Sequence, residues 1–193
     1  LLHCIYNIYK RMFYSGKECI VTKNTARKGR NMMGFFSKFG KKKEFCITSP
    51  ISGQAISAQE IEDETFAAGL LGYTVGILPA EGKAYAPADG TISIVFETGH
   101  AVGLQTVDGA EVLLHIGIDT VSLNGEPFHM HVKEGDRVRK GDLLVEFDRD
   151  AICTAGYSKT TAVIITNADA FDVIDAHIGT VTHGDTLLTV SKK

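Results

Sequence analysis

The sequence predicts an all-β domain, a sandwich or flattened barrel of short strands with one or two single-turn helices. Three observations predict it. Short runs rich in β-branched residues recur along residues 44–193, Gly, Pro and Asp turn signals separate them, and no long stretch keeps the 3.6-residue period of a helix. In chain order the strands are TISIVFE at 91–97, AVGLQTV at 101–107, EVLLHIG at 111–117, LLVEFD at 143–148, TAVIITN at 161–167 and TLLTVSK at 186–192. Helix is confined to about one turn near Glu64–Leu71 and another near Asp150–Ala155. SPISGQAI at 49–56 and APADGTI at 86–92 share a proline, two residues, a glycine and then a strand, which hints at an internal duplication.

Composition narrows the function. The chain has 193 residues, 44% of them hydrophobic and 22% charged, which suits a folded domain of about 150 residues with a leader and excludes disorder throughout. No run of about 18 apolar residues occurs, so no membrane-spanning helix is expected. Charge is divided unevenly. Residues 1–43 carry 11 Lys/Arg against one acid, Glu18, whereas the other 150 residues carry 9 against 22. The acidic body argues against nucleic-acid binding and favours basic protein partners. Cys4, Cys19, Cys46 and Cys153 show neither CxxC nor finger spacing, which fits a reducing cytoplasm.

The leader divides in two. Residues 1–32 show no clean period, are expected to be disordered or extraneous, and open with LLHCIYNIYK, a poor signal peptide without a basic start or a small-residue cleavage site. Residues 33–43 place Phe35, Phe36 and Phe39 at helical spacing beside Lys38, Lys41, Lys42 and Lys43. That is the pattern of a short interfacial anchor, giving at most peripheral contact with anionic lipid. A solvated linker is the other expectation for the same stretch.

One hairpin carries the chemistry. Asp108-Gly109 between two strand runs predicts a two-residue type I′ turn with Val107 opposite Ala110. In that register His115 faces Val102, His100 faces Gly117 and Thr98 faces Asp119. His100 and His115 then lie on one sheet face as diagonal neighbours about 7–8 Å apart, with Val102, Leu104 and Leu113 around them. Val112, Leu114, Ile116 and Ile118 take the opposite, core face. Such a pair admits three roles. It can be structural, with both rings hydrogen-bonded. It can be a metal site, zinc sharing the two imidazoles with Asp119 as the one obvious third ligand. Or it can be a phosphohistidine site, one ring attacking a phosphoryl group while the other, its tautomer set by Thr98, donates to the phosphoryl oxygens.

The stretch GAEVLLHIGIDTV at 109–121 resembles the active-histidine signature of the glucose-type enzyme IIA domains of the bacterial sugar phosphotransferase system. FETGHA at 96–101 resembles their second histidine motif, and APADGTI (86–92), EGDRVRKGDLLVEFD (134–148), TAVIITN (161–167) and GDTLLTV (184–190) are similar in the same order. The resemblance covers about 47–193, and MGFFSKFGK at 33–41 looks like a family amino terminus. It implies a sandwich built from a duplicated hybrid motif. It implies a phosphocarrier that accepts a phosphoryl group from phospho-HPr and passes it to the cysteine of a IIB domain during sugar uptake, in the cytoplasm. His115 would be the nucleophile, His100 would stabilise the phosphoryl group and Thr98 would orient His100. Asp119 and Asp63 would border the site, with Phe66, Phe96 and Val121 at its rim. The transfer requires no cofactor, although zinc is possible at the pair, and family members also bind permeases or enzymes in a regulatory role.

Two other patterns compete. His129-Met130-His131 is an H-x-H, and His115 has Asp119 four residues on, which together suggest a lysostaphin-type zinc peptidase. The H-x-H falls before the Glu134-Gly135-Asp136 turn rather than before a terminal strand, so an exposed strand end near Pro127 is expected instead. The 134–148 segment also resembles lipoyl and biotinyl carriers, but it lacks their displayed lysine.

Overall fold

The computed structural model describes residues 43–193. The leader boundaries and the anchor pattern therefore lie outside the described residues, as do Cys4 and Cys19. Lys43, placed with the leader above, ion-pairs with Asp108 at 3.0 Å.

The described residues form fourteen short strands. In chain order they are β1 (Glu44–Thr48), β2 (Gly53–Ser57), β3 (Tyr73–Pro79), β4 (Lys83–Tyr85), β5 (Gly90–Val95), β6 (Ala101–Thr106) and β7 (Glu111–Ile116). They continue with β8 (Phe128–Met130), β9 (Arg137–Val138), β10 (Leu143–Phe147), β11 (Thr161–Ile165), β12 (Phe171–Ala176), β13 (Gly179–Val181) and β14 (Thr186–Lys192). Helix is limited to α1 (Glu64–Ala67), α2 (Arg149–Thr154) and three 3-10 turns. All six expected strands are present within a residue or two of their expected ends. Of the strands not foreseen, β4 and β9 are too short to stand out from the turns beside them, whereas β3 is seven residues long and mostly buried and was missed. Among the described residues no helix is long and apolar enough to cross a membrane.

Three antiparallel sheets enclose the core. The largest runs β13-β2-β3-β11-β7-β6-β5-β9, and the smaller ones run β1-β14-β12 and β4-β10-β8. One face of β7 supplies Val112, Leu114 and Ile116 to the core, beside Val102 and Leu104 from β6 and Val163 and Ile165 from β11. Alternation along each strand sends these residues to one side and Leu113 and His115 to the other.

The two Pro-x-x-Gly segments play matching parts. Gly53 opens β2 and Gly90 opens β5, and a Cβ on either would strike a carbonyl of the next strand, Leu78 O at 2.2 Å or Gln105 O at 2.3 Å. Turns of one kind recur as well. Asp136, Asp142 and Asp185 each accept from the backbone N–H three residues back, at 3.0, 2.7 and 2.8 Å.

The β6–β7 hairpin departs from its expected register. Ala101 pairs with His115, Val102 with Leu114 and Leu104 with Val112, one residue away from the expectation. The connection has three residues, Val107, Asp108 and Gly109, and Thr106 faces Ala110. Two bonds account for it. The Val107 N–H leaves the ladder to donate to Asp89 O at 3.0 Å, and the Thr106 hydroxyl accepts from Ala110 N–H at 2.9 Å. Gly109, at φ +92°, takes the left-handed position that a three-residue hairpin loop needs. Val102 and Leu104 consequently lie in the core and not beside the histidines, a correction to the sequence expectation.

Leu114 is 1% exposed at the centre of this core. Leu114→Ala should lower unfolding free energy by about 2–5 kcal/mol in urea titration. Leu78→Ala, at a side chain 42% exposed, should cost well under half of that.

Candidate functional site

His115 sits near the end of β7 with an alanine on each side. Its cross-strand neighbours are Ala101 on β6 and Ala162 on β11. Two small residues leave room for an imidazole on a tightly packed sheet face. His100 ends the five-residue connection between β5 and β6, where Phe96 N–H donates to Ala101 O at 3.1 Å and Gly99 N–H to Phe96 O at 2.8 Å. It follows Gly99, at φ +63°, and precedes β6, so strand alternation does not direct its ring.

The two rings meet. Their centroids are 4.9 Å apart and nearly perpendicular, and the residues are 1% and 3% exposed for His100 and His115. The two rings meet as the sequence expects, although the register from which this was expected is off by one residue. Thr98 opposite Asp119 is likewise not a strand pair, because both residues lie in connections.

Each ring is held by its Nδ1. His115 Nδ1 lies 2.9 Å from the Gly117 carbonyl oxygen. A carbonyl only accepts, so Nδ1 carries the proton and the lone pair of neutral His115 is on Nε2. Gly117 is left-handed, at φ +76°, and a Cβ there would stand 2.3 Å from Thr120 Cγ2. His100 Nδ1 lies 2.5 Å from Thr98 Oγ1, a hydroxyl able to donate or accept.

Aromatic rings wall the pair. Phe66 lies 5.1 Å from the His115 ring and Phe96 5.4 Å from that of His100, centroid to centroid. Asp63 explains how Phe66 gets there. Its Oδ1 accepts from Thr65 N–H and Phe66 N–H at 2.9 and 3.0 Å, capping α1 at its first turn. Phe128 and Met130 of β8 pack on Gly99 from the other side, where a Cβ would lie 2.9 and 3.4 Å from their carbons. Val121 is half-buried in the 3-10 turn Thr120–Leu123 that Asp119 opens.

Burial dominates the electrostatics. It pushes His100 down to about 3, with His115 as a second cause, and pushes His115 down to about 4. The Gly117 carbonyl and the Asp63 and Asp119 carboxylates oppose the second shift without overcoming it. Both imidazoles are therefore neutral near pH 7. A neutral ring with a fixed Nδ1–H and a lone pair on Nε2, beside a second neutral ring, is suited to nucleophilic attack on an electrophile brought to it.

His129 and His131 lie elsewhere. His129 and His131 face away from the Phe128 and Met130 side of β8, with their rings 4.7 Å apart, and His131 Nε2 bonds Glu146 Oε2 at 2.9 Å. His129 lies on β8, in the sheet of β4, β10 and β8, and His131 directly follows that strand, whereas His115 lies on the large sheet. Among the described residues no group of three or more His, Cys, Asp or Glu side chains is placed to hold a metal ion. Zinc on the His100–His115 pair would need ligands from beyond the described residues. Sequence reasoning missed the Gly117 carbonyl, the alanine flanks and the capping by Asp63. The glycine two residues after His115 was the available signal for the first.

The neutral histidines bear on stability. Their folded-state values lie below the ordinary 6.5, so the unfolded chain binds more protons between there and about 4. The contribution is complete above pH 6.5 and is lost as pH falls through that window. Melting temperatures from pH 8 to 4 should fall less steeply for His115→Gln than for wild type. Equal slopes would contradict an uncharged buried ring.

The chain is similar to known proteins over most of this domain. The family model of the phosphoenolpyruvate-dependent sugar phosphotransferase system, EIIA 1, matches residues 45–171. A PTS system beta-glucoside-specific EIIBCA component of Dickeya chrysanthemi is 47% identical over 132 residues, which are 68% of this chain and 21% of that protein. The chain thus spans about a fifth of the length of such multicomponent relatives. A PTS system glucose-specific EIIA component of Halalkalibacterium halodurans is 41% identical over 150 residues, 77% of this chain and 87% of that protein. The solved glucose permease IIA from Mycoplasma capricolum superposes with a TM-score of 0.73 at 35% identity, covering 81% of this chain and 99% of its own.

Proposed function

The chain belongs to the EIIA 1 family of the phosphoenolpyruvate-dependent sugar phosphotransferase system, and from that membership we propose that it carries a phosphoryl group on His115 Nε2 between a donor phosphohistidine and a receiving cysteine. The observation that supports this most is the bond from His115 Nδ1 to the Gly117 carbonyl, since it leaves Nε2 as the ring atom able to attack.

The step balances simply. The Nε2 lone pair forms the new N–P bond as the donor's N–P bond breaks, and the donor nitrogen recovers its own lone pair. Nδ1 keeps its proton on the Gly117 carbonyl, which supports the positive charge that the ring gains. In the second step a cysteine thiolate takes the phosphoryl group and His115 returns to neutral. Thr98 donating to His100 Nδ1 places a proton on His100 Nε2, where it meets the phosphoryl oxygens. Little covalent chemistry is required beyond positioning and charge stabilisation, so the transfer requires no cofactor.

In this proposal HPr is the donor and a IIB domain the receiver. The EIIBCA relatives, whose names join A to B and C components, support the second assignment. Asp63, Asp119 and exposed Glu64 give the site mouth an acidic character suited to basic partners. The cytoplasm, where the resemblance puts the phosphocarrier, is part of the same proposal. A peptidase has no support in the separation of His129 and His131 from the pair.

Incubation with phosphoenolpyruvate, enzyme I and HPr should yield an acid-labile, base-stable phosphate adduct on wild type and none on His115→Ala. His100→Gln should still accept phosphate yet pass it to a IIB cysteine about 10²–10³ times more slowly. Phosphate located on His100 by mass spectrometry would reverse these two roles. A His129→Ala/His131→Ala double variant should take up phosphate at the wild-type rate in the same assay, and a loss there would place the H-x-H in the reaction.

A further inference from the structure

We propose that Thr120 is a positioning residue that fixes the tautomer of His115, an inference that rests on phosphoryl transfer at Nε2 and adds a control point to it. The loop after β7 has an unusual shape. Gly117 and Asp119 are both left-handed, at φ +76° and +59°, with only Ile118 between them. A backbone of this kind holds one conformation only when its surroundings hold it there.

Thr120 supplies two of those restraints. It is fully buried, and its hydroxyl donates to the Ile116 carbonyl at 2.5 Å, tying the last residue of β7 to the start of the 3-10 turn. Its methyl group lies against Gly117, so close that a Cβ there would stand 2.3 Å away. On the far side the Ser158 carbonyl comes within 2.9 Å of the same point and accepts the Ile118 N–H at 2.9 Å. Gly117 is thereby gripped between the Thr120 side chain and the Ser158 backbone, and its own carbonyl is aimed at His115 Nδ1.

The chemistry follows from that aim. A neutral imidazole carries its proton on either nitrogen, and only a fixed acceptor at Nδ1 keeps the lone pair on Nε2. If the loop relaxes, the carbonyl swings, the proton is shared between the two nitrogens and part of the population cannot attack. Thr120 touches neither phosphate nor partner in this scheme and acts through Gly117 alone.

Thr120→Val removes the hydroxyl at nearly constant volume, and Thr120→Ser keeps it. Nitrogen-15 NMR of the unphosphorylated full chain should show one His115 tautomer, protonated at Nδ1, in wild type and Thr120→Ser. Thr120→Val should give averaged shifts of the two ring nitrogens and a rate of phosphate uptake from HPr lower by roughly 10–100-fold, as expected when a reacting group is loosened. Should Thr120→Val not fold, Thr120→Ala removes the same hydroxyl and is read the same way. Retention of the single Nδ1–H tautomer in the hydroxyl-free variant, with only a lower melting temperature, would overturn the proposal. The tautomer is read without any phosphate donor. A wild type that takes no phosphate but loses its tautomer on Thr120→Val would therefore refute the phosphocarrier proposal while upholding the role of Thr120 in the loop.

Discussion

The hydrogen bond from His115 Nδ1 to the Gly117 carbonyl is the contact on which the arrangement of this site depends. It ties a side chain on a strand to the backbone just beyond that strand, so the ring cannot turn without moving the loop. Burial then removes the protonated state, and the bond decides which nitrogen of the neutral ring keeps its lone pair. Neither effect suffices alone. A buried imidazole with a mobile proton would present the wrong nitrogen part of the time, and a tethered but exposed one would be partly charged near neutral pH.

The remaining structure can be understood as support for that contact. The large sheet places β7 between β6 and β11, and their small residues at Ala101 and Ala162 admit the ring. Asp63 caps α1 so that Phe66 is delivered onto the ring from above. The β5–β6 connection brings His100 and Thr98 from the side. Helix α1, the segment from β5 to β7 and β11 meet because the opposite face of β7 packs into a continuous apolar cluster.

Much of this was legible in the sequence. The strand runs from 91 to 192 and both helical turns follow from residue patterning, because buried strands need β-branched residues and tight turns need Gly, Asp and Pro. The hairpin register was legible only to within one residue. Asp108-Gly109 signals a turn, but turn length was settled by the Thr106 hydroxyl and by Asp89, whose carbonyl draws Val107 out of the ladder. His100 escaped the resulting error because it lies in a connection, where face alternation has no authority. Contacts made through backbone atoms leave little trace in residue identity, and for the Gly117 carbonyl the glycine itself is that trace. The capping role of Asp63 is similarly hidden, since α1 is too short to show a period.

The alanines beside His115 bear on how far this sequence can drift. In the core, exchanges that conserve volume, at Leu114 for instance, usually cost less than about 1.5 kcal/mol. Ala101 and Ala162 have no such latitude, since any larger side chain must occupy the space that the imidazole fills. Two of the plainest residues in the chain are thus more constrained in size than the large apolar residues behind them.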